Sequence, residues 1–262
     1  MQQNTESDDN IRVYWQTGCT SCLRTKEFLA SHGIPFLSRN VLDDPQAFAE
    51  LARFGLRQVP IVTRGDSWAN GQVLSDVAEL VGITDLNVKM LPVRDMKRRL
   101  DAVMDGAHRF FEQIPDAELD TQLPNRPRSY AELAYHIYNI VDAFLEEKNG
   151  IPLVYESYYR LPRPGDRRQE IQAYGARVHQ QLNDWFNKHG RDFEWGAPAN
   201  VYYGKQSQQQ FLERTTWHSM QHTRQLMWVL ERMGIEPNQP FTPDLYEGLP
   251  MPEKVWEEES AV

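Results

Sequence analysis

Apolar positions along the chain follow two different rhythms. Up to about residue 83, short β-rich runs alternate with helical stretches. "IRVYW" (11–15) is a run of β-branched and aromatic residues that Gly18 breaks. From about Thr20 to His32 the spacing is helical: Leu23, Phe28 and Leu29 fall on one side, and Arg24, Lys26 and Glu27 on the other. "HGIPF" stops that helix, and "PFLSRNVL" reads as a second strand. Pro45 opens a helix over "PQAFAELARFG" that ends at Gly55. "VPIVTRG" (59–65) is a third strand, and "SWANG" a turn or short fourth one. Ser75 is the expected N-cap of "SDVAELVG" (75–82), closed by Gly82. The order β-α-β-α-β-β-α makes residues 11–83 an α/β domain, preceded by a polar, acidic segment, 1–10, expected to be disordered.

Residues 84–92 read as a linker, and beyond them the period becomes that of long helices. "VRDMKRRLDAVMDGAHRFFEQI" (93–114) carries Met96, Leu100, Ala107 and Phe110 on one stripe. The second helix, 129–150, opens on Ser129 with Glu132 three residues on, a capping-box signature, and stops at Gly150. A third spans 166–190, with Asp166 as its expected cap, and a fourth spans 207–234. Four helices joined by two long connections predict an all-α four-helix bundle over 93–235. The remainder, 236–262, is rich in Pro and Glu and is expected to be an extended or loosely packed tail.

Composition narrows the functions. Of the 262 residues, 40% are hydrophobic and 25% charged, enough to bury two cores. The formal net charge of −9 argues against nonspecific binding to nucleic acid or to an anionic membrane, because the phosphate term would be repulsive. No apolar run is long enough to span a bilayer, and "MQQNTESDDN" lacks the basic and apolar regions of a signal peptide. A cytoplasmic location is expected, where thiols are kept reduced.

Both cysteines lie in "GCTSCL", as Cys19 and Cys22. They either ligate a metal or pass electrons. A structural zinc site takes four ligands, and here there is one pair; the nearby His32 sits on the same helix. A C-x-x-C at a strand-to-helix junction favours the redox reading. At a helix N-terminus, free N–H groups and the helix dipole stabilise a thiolate, so Cys19 is the expected nucleophile and Cys22 the resolving thiol.

At these residues the segment 11–83 resembles a glutaredoxin, within the thioredoxin fold. "C-T-S-C" stands in the place of the family's C-P-Y-C, and "Q-V-P" (58–60) in that of its T-V-P or Q-V-P. The resemblance implies a cis Val59–Pro60 bond facing the active-site cysteine, and thiol-substrate binding by Val59, Pro60, Ser75 and Asp76. "GDSWANG" is more similar to the redoxins that serve ribonucleotide reductase than to glutathione-binding glutaredoxins, and "NGQVLSD" replaces the latter's Gly-Gly pair.

Three histidines stand out in the bundle. His218 and His222 are four apart, so both project from one helix face, shared with Phe211, Thr215 and Val229. His136 lies on the stripe Leu133, Ile137, Ile140, Phe144. Each alone would pass for a satisfied core histidine. Together they have the composition of an open divalent-metal site with three imidazoles. Ser219 occupies the place of the glutamate in H-E-x-x-H, which removes the general base of a metalloprotease.

Residues 93–235 resemble the DinB-like (YfiT-like) superfamily of metal-binding four-helix bundles. The similarity is carried by "IPDAELDTQLPNRPRSYAELAYHIYNIVDAFL" and by "WHSMQHTRQL", in which Thr223 separates His222 from Arg224. It implies a divalent metal, zinc or nickel, on His136, His218 and His222. It also implies a low-molecular-weight thiol such as glutathione, since relatives include thiol-dependent transferases and isomerases. The expected function is a thiol–disulfide redox module fused to a metal- and thiol-dependent transferase or isomerase domain. The expected partners are small thiols or disulfide substrates, and a homodimer through the bundle. The alternative is a redoxin whose metal-bearing bundle only docks a protein client. A pocket above the metal would favour the first, a broad exposed apolar patch the second.

Overall fold

The structure is a computed structural model that describes residues 9–86 and 89–257. The chain forms two compact units, one of 1–88 with 252–262 and the other of 89–251. The expected disorder of 1–8, and the chain at 87–88 and 258–262, lie outside the described residues. Asp9, expected within the disordered segment, pairs with Arg64 at 2.9 and 3.0 Å.

The first unit runs β1 (Ile11–Trp15), α1 (Thr20–Ser31), β2 (Leu37–Asn40), α2 (Pro45–Ala52), β3 (Ile61–Arg64), β4 (Ser67–Asn70) and α3 (Leu74–Val81). The sheet order is β2-β1-β3-β4. β1 and β2 are parallel, with Val13 opposite Ser38, so the chain needs the α1 crossover between them. β3 runs antiparallel to β1 and to β4, placing Val62 between Val13 and Ala69. Because strand side chains alternate, Tyr14 and Ile61 pack with Ala47 and Leu51 of α2, while Val13, Val62 and Ala69 pack with Leu29 of α1 and Val77 of α3. This is a thioredoxin-like fold.

"SWAN" forms the short fourth strand, one of the two readings left open, and one local reading changes. Ser75 is not the N-cap of α3: Val73 holds that place, its carbonyl accepting from Asp76 N and Val77 N. The side chain of Asn70 accepts from Gln72 N and completes the turn early, so the helix starts before Ser75. Gly71 is required by packing. A Cβ there would lie 2.8 Å from Thr25 Oγ1 and 2.9 Å from Pro60 Cβ.

The second unit contains α4 (Val93–Gln113), α5 (Tyr130–Lys148), α6 (Arg168–His189), α7 (Gln208–Arg232) and the short α8 (Pro243–Tyr246). A two-residue strand pair, β5 (Pro198–Ala199) with β6 (Gln206–Ser207), folds the last long connection. The capping box at Ser129 and Glu132 forms as expected, and Ser207 with Gln210 makes a second one. Asp166 does not cap α6. Its carboxylate accepts from Arg163 N within the preceding turn, and Arg167 becomes the cap, with Glu170 accepting from its N–H.

Although polar in sequence, α7 is buried along most of its length. Thr215, Thr216, Ser219 and Thr223 donate their hydroxyls to carbonyls four residues back, at 2.8–2.9 Å, which satisfies them without water. Phe211, Leu226 and Val229 of α7, Leu133, Ile137 and Phe144 of α5 and Leu100, Val103 and Phe110 of α4 are all fully buried, and the Phe211 ring lies 5.3 Å from that of Phe144. No helix among the described residues is long and apolar enough to cross a membrane.

The C-terminal stretch is not loosely packed. Arg99 of α4 donates to the carbonyls of Leu245 and Glu247, and Arg109 to those of Asn238 and Gln239. The Phe241 ring occupies the space that a side chain at Gly106 would need. Residues 252–257 belong to the first unit, where Glu27 accepts from the N–H groups of Glu253 and Lys254 at 2.6 and 3.0 Å. Proline and acidic content concealed this because the anchoring groups are arginines and glutamate elsewhere in the chain, bonding to tail backbone.

Candidate redox pair and candidate metal centre

Cys19 ends the loop after β1 and is the N-cap of α1, with extended backbone (φ −91°, ψ 107°). Its Sγ accepts from Cys22 N at 3.2 Å. The first turn of the helix thus points the Cys22 N–H at this sulfur, as expected of a thiolate site. Cys19 and Cys22 are joined as a disulfide. Cys22 is fully buried, whereas Cys19 remains partly exposed, so an incoming sulfur reaches Cys19 first.

Val59 packs in the same apolar cluster as Cys22, and Cys19 rests against that cluster. The Val59–Pro60 bond is cis, and the Pro60 carbonyl accepts from Gly71 N at 3.0 Å. Ser75 and Asp76 stand exposed on the first turn of α3, where the Ser75 hydroxyl donates to the Asp76 carboxylate.

In the second unit, α5 and α7 bring His136, His218 and His222 together. One ligand atom from each lies within 4.8 Å of those of the other two, and all three residues are buried. Ring centroids are 5.6 Å apart for His136–His218, 4.7 Å for His136–His222 and 5.0 Å for His218–His222. The spacing of four on α7 sets the last of these, and the apolar stripe of α5 turns His136 inward.

The electrostatics favour neutral imidazoles. Burial, and then the charge of Arg128, push His136 well below its ordinary range. Burial and the charge of Arg214 do the same to His218. His222 falls to about 3, through burial and Arg128, with only its bond to Gln225 acting the other way. A neutral imidazole is the form that ligates a metal. His222 Nδ1 lies 2.7 Å from Gln225 Oε1, which assigns its proton to Nδ1 and leaves Nε2 as an acceptor. Nδ1 of His136 and of His218 is buried with no hydrogen-bond partner. Orphaned ring nitrogens beside an Nε2 lone pair fit a divalent cation.

Tyr158, in a short helical turn at Tyr155–Tyr158, stacks edge-on against both His218 and His136, with centroids 5.4 and 6.5 Å away. Its hydroxyl accepts from Arg214 at 2.9 Å. Sequence reasoning did not single out Tyr158. Gln225 was visible as a residue three after His222 on the same face. A cavity of about 480 Å³ lies elsewhere, between α4 and α6, and is lined by Met104, His108, Tyr138 and His179 rather than by the three histidines.

Two segments of the chain match family models. Residues 11–68 match Glutaredoxin, and residues 99–226 match the DinB superfamily. The chain joins a glutaredoxin-family domain to a DinB-superfamily domain. Cys19, Cys22, Val59 and Pro60 fall within the first match and the three histidines within the second; Ser75 and Asp76 lie beyond both. The glutaredoxin-like protein NrdH of Escherichia coli K12 is 37% identical over 60 residues, 22% of this chain and 74% of that protein. The global transcriptional regulator Spx of Bacillus subtilis is 23% identical over 91 residues, 35% of this chain. The chain spans 63% of the length of that regulator and 60% of a second Spx, from Oceanobacillus iheyensis. A DinB-like protein from Bacillus cereus, solved by crystallography, aligns over 57% of this chain and 97% of its own, at 13% identity and a TM-score of 0.47.

Proposed function

We propose that the protein is a cytoplasmic thiol–disulfide oxidoreductase whose second domain is a metal-dependent S-transferase or isomerase using a low-molecular-weight thiol. The observation that carries the reading is the pairing of two sulfur-competent sites in one chain: a helix-capping Cys19 beside Cys22, and three buried neutral imidazoles.

In the redox domain, the reduced Cys19 thiolate attacks a substrate disulfide. A Cys19–substrate disulfide forms, and the first substrate thiol leaves. Cys22 then attacks Cys19 Sγ, the second thiol leaves, and the Cys19–Cys22 disulfide closes. Two electrons pass to the substrate, and two equivalents of a small thiol restore the dithiol. Helix α1 supplies the N–H groups that hold the charge on Cys19; Val59 and Pro60 form the apolar wall beside the pair.

In the bundle, His136, His218 and His222 would hold one zinc or nickel ion. When bound, such an ion lowers the pKa of a coordinated thiol, so that sulfur is presented as thiolate at neutral pH. Gln225 fixes the proton of His222, Tyr158 walls the centre on one side, and burial keeps bulk water away. The reaction class is transfer of that sulfur to an electrophilic carbon.

Metal analysis of protein purified without an affinity tag, followed by cobalt substitution and thiol titration, tests this. One ion per chain and a thiolate-to-cobalt band are expected; a metal-free protein that binds no cobalt would refute the transferase half. A docking role for the bundle is the second reading. It is favoured by Ile151, Val154, Tyr159 and Leu161, apolar and exposed within one short stretch. It predicts a protein client captured by a Cys22→Ser variant and no small-molecule turnover.

A further inference from the structure

The cavity of about 480 Å³ between α4 and α6 lies apart from the three histidines. Tyr138 of α5 lines it, and His136 stands two residues earlier on the same helix. Two residues turn a helix by about 200°, so the two side chains leave α5 on opposite sides. Gly175 of α6 also lines the cavity and meets the hydroxyl end of the Tyr138 ring. A Cβ at Gly175 would lie 2.6 Å from Tyr138 Cζ, the carbon that bears the hydroxyl. Glycine inside a helix is unfavourable, and here its missing side chain lets the ring end reach the cavity wall.

Tyr138 is 1% exposed, and its hydroxyl oxygen is buried with no hydrogen-bond partner among the described residues. A buried hydroxyl without a partner is costly, and a ligand that accepts from it offsets part of that. Burial also pushes the phenol well above its ordinary range, so it is a neutral donor at physiological pH. Much of the polar rim is committed elsewhere. Arg109 donates to the carbonyls of Asn238 and Gln239, Glu112 accepts from Gln172, and His179 lies 3.0 Å from the Asp101 carboxylate. The rim carboxylates, Asp105 and Glu112, outnumber the guanidinium of Arg109, which disfavours an anion. Met104 and Ala176 add apolar wall, and the volume suits a small molecule.

We propose that this cavity binds a small, uncharged and chiefly apolar molecule whose carbonyl oxygen accepts from the Tyr138 hydroxyl. The orphaned O–H calls for an acceptor, the Met104 and Ala176 wall for carbon, and the acidic rim turns away a carboxylate. A neutral carbonyl compound, such as a ketone, meets all three. The site shares helix α5 with the three-histidine centre but none of its residues, so binding here requires neither metal nor thiol.

Full-length protein is titrated with 4-fluoroacetophenone, 4-fluorotoluene and 4-fluorobenzoate, followed by fluorine NMR, in wild type, Tyr138→Phe, Ala176→Trp and His218→Ala. In wild type the ketone is expected to bind saturably and about fivefold more tightly than the toluene, the scale of one hydrogen bond, and the benzoate more weakly than either. Tyr138→Phe keeps the ring and removes the orphaned oxygen. It should keep its Tm and bring the ketone down to the affinity of the toluene. Ala176 is exposed on α6, so Ala176→Trp should fold, fill the cavity and abolish binding of both. His218→Ala should bind the ketone as wild type does. No saturable binding of the ketone, a ketone preference unchanged in Tyr138→Phe, or tighter binding of the benzoate would overturn the proposal. So would ketone binding that survives Ala176→Trp or that is lost in folded His218→Ala. Should Tyr138→Phe not fold, the ketone-over-toluene preference of wild type and its loss in Ala176→Trp decide the matter.

Discussion

His136 of α5 and His222 of α7 meet edge-on, with ring centroids 4.7 Å apart and planes at 78°. Neither ring can leave the interior without disturbing two helices, and burial, with the charge of Arg128, disfavours a proton on either. The metal-free bundle is therefore acid-sensitive. Each buried imidazole stays neutral in the folded chain, and His222 does so down to about 3, whereas an unfolded histidine titrates near its ordinary 6.5. The unfolded state binds more protons below that value, so this contribution is intact above pH 6.5 and is lost as pH falls. The expected loss is about 1.4 kcal/mol per pH unit for each neutral histidine. Urea unfolding of EDTA-treated protein at pH 7, 6 and 5 should show it, and a flat profile over that window would contradict the burial of neutral rings.

Cys19 and Cys22 should separate cleanly by role. Cys22→Ser is expected to trap a mixed disulfide on Cys19, and Cys19→Ser to abolish reduction of a small disulfide. In the reduced protein, alkylation at neutral pH should strike Cys19 first. Equal rates for the two thiols would count against a helix-stabilised thiolate at Cys19.

Gly71→Ala should destabilise the first unit by about 1–3 kcal/mol, because the new methyl must displace Thr25 or Pro60. Denaturant unfolding followed by hydrogen exchange in β3 and α1 measures it. A neutral substitution would mean that the close approach at Pro60 relaxes freely.

Lys148 is fully buried, with Glu147 Oε2 at 2.8 Å and Gln208 as a further partner. Burial acts to raise Glu147, but the Asn200 N–H, Lys148 and Gln208 outweigh it and hold the carboxylate ionised. Glu147→Gln strands a buried ammonium and should cost about 3–5 kcal/mol. The double variant Glu147→Gln with Lys148→Met should recover most of that loss in the same unfolding assay. If it does not, packing rather than charge governs the pair.

Much of the layout was legible because periodicity reports burial. The β-branched and aromatic runs in "IRVYW" and "IVTR" made a sheet, and the stripe through Leu133, Ile137 and Phe144 turned His136 inward. The histidine trio followed from two helix faces and needed no long-range information. Tyr158 was not legible, since it reaches the centre from an irregular connection whose course has no period. Ser75 and Asp166 look like caps in sequence, but side-chain bonds in the preceding turns move each helix start. The tail was misread because its anchors, Arg99, Arg109 and Glu27, bond to backbone, and backbone carries no sequence signal.

The central claim is that His136, His218 and His222 form one metal site independent of the redox pair. Metal content measured on untagged wild type, His218→Ala and Cys19→Ser tests it most directly. One zinc or nickel ion per chain is expected in wild type and in Cys19→Ser. His218→Ala should lose the ion, because two imidazoles and water make a much weaker site, yet it should still reduce a small disulfide. Unchanged metal in His218→Ala, or metal that departs with Cys19, would contradict the claim.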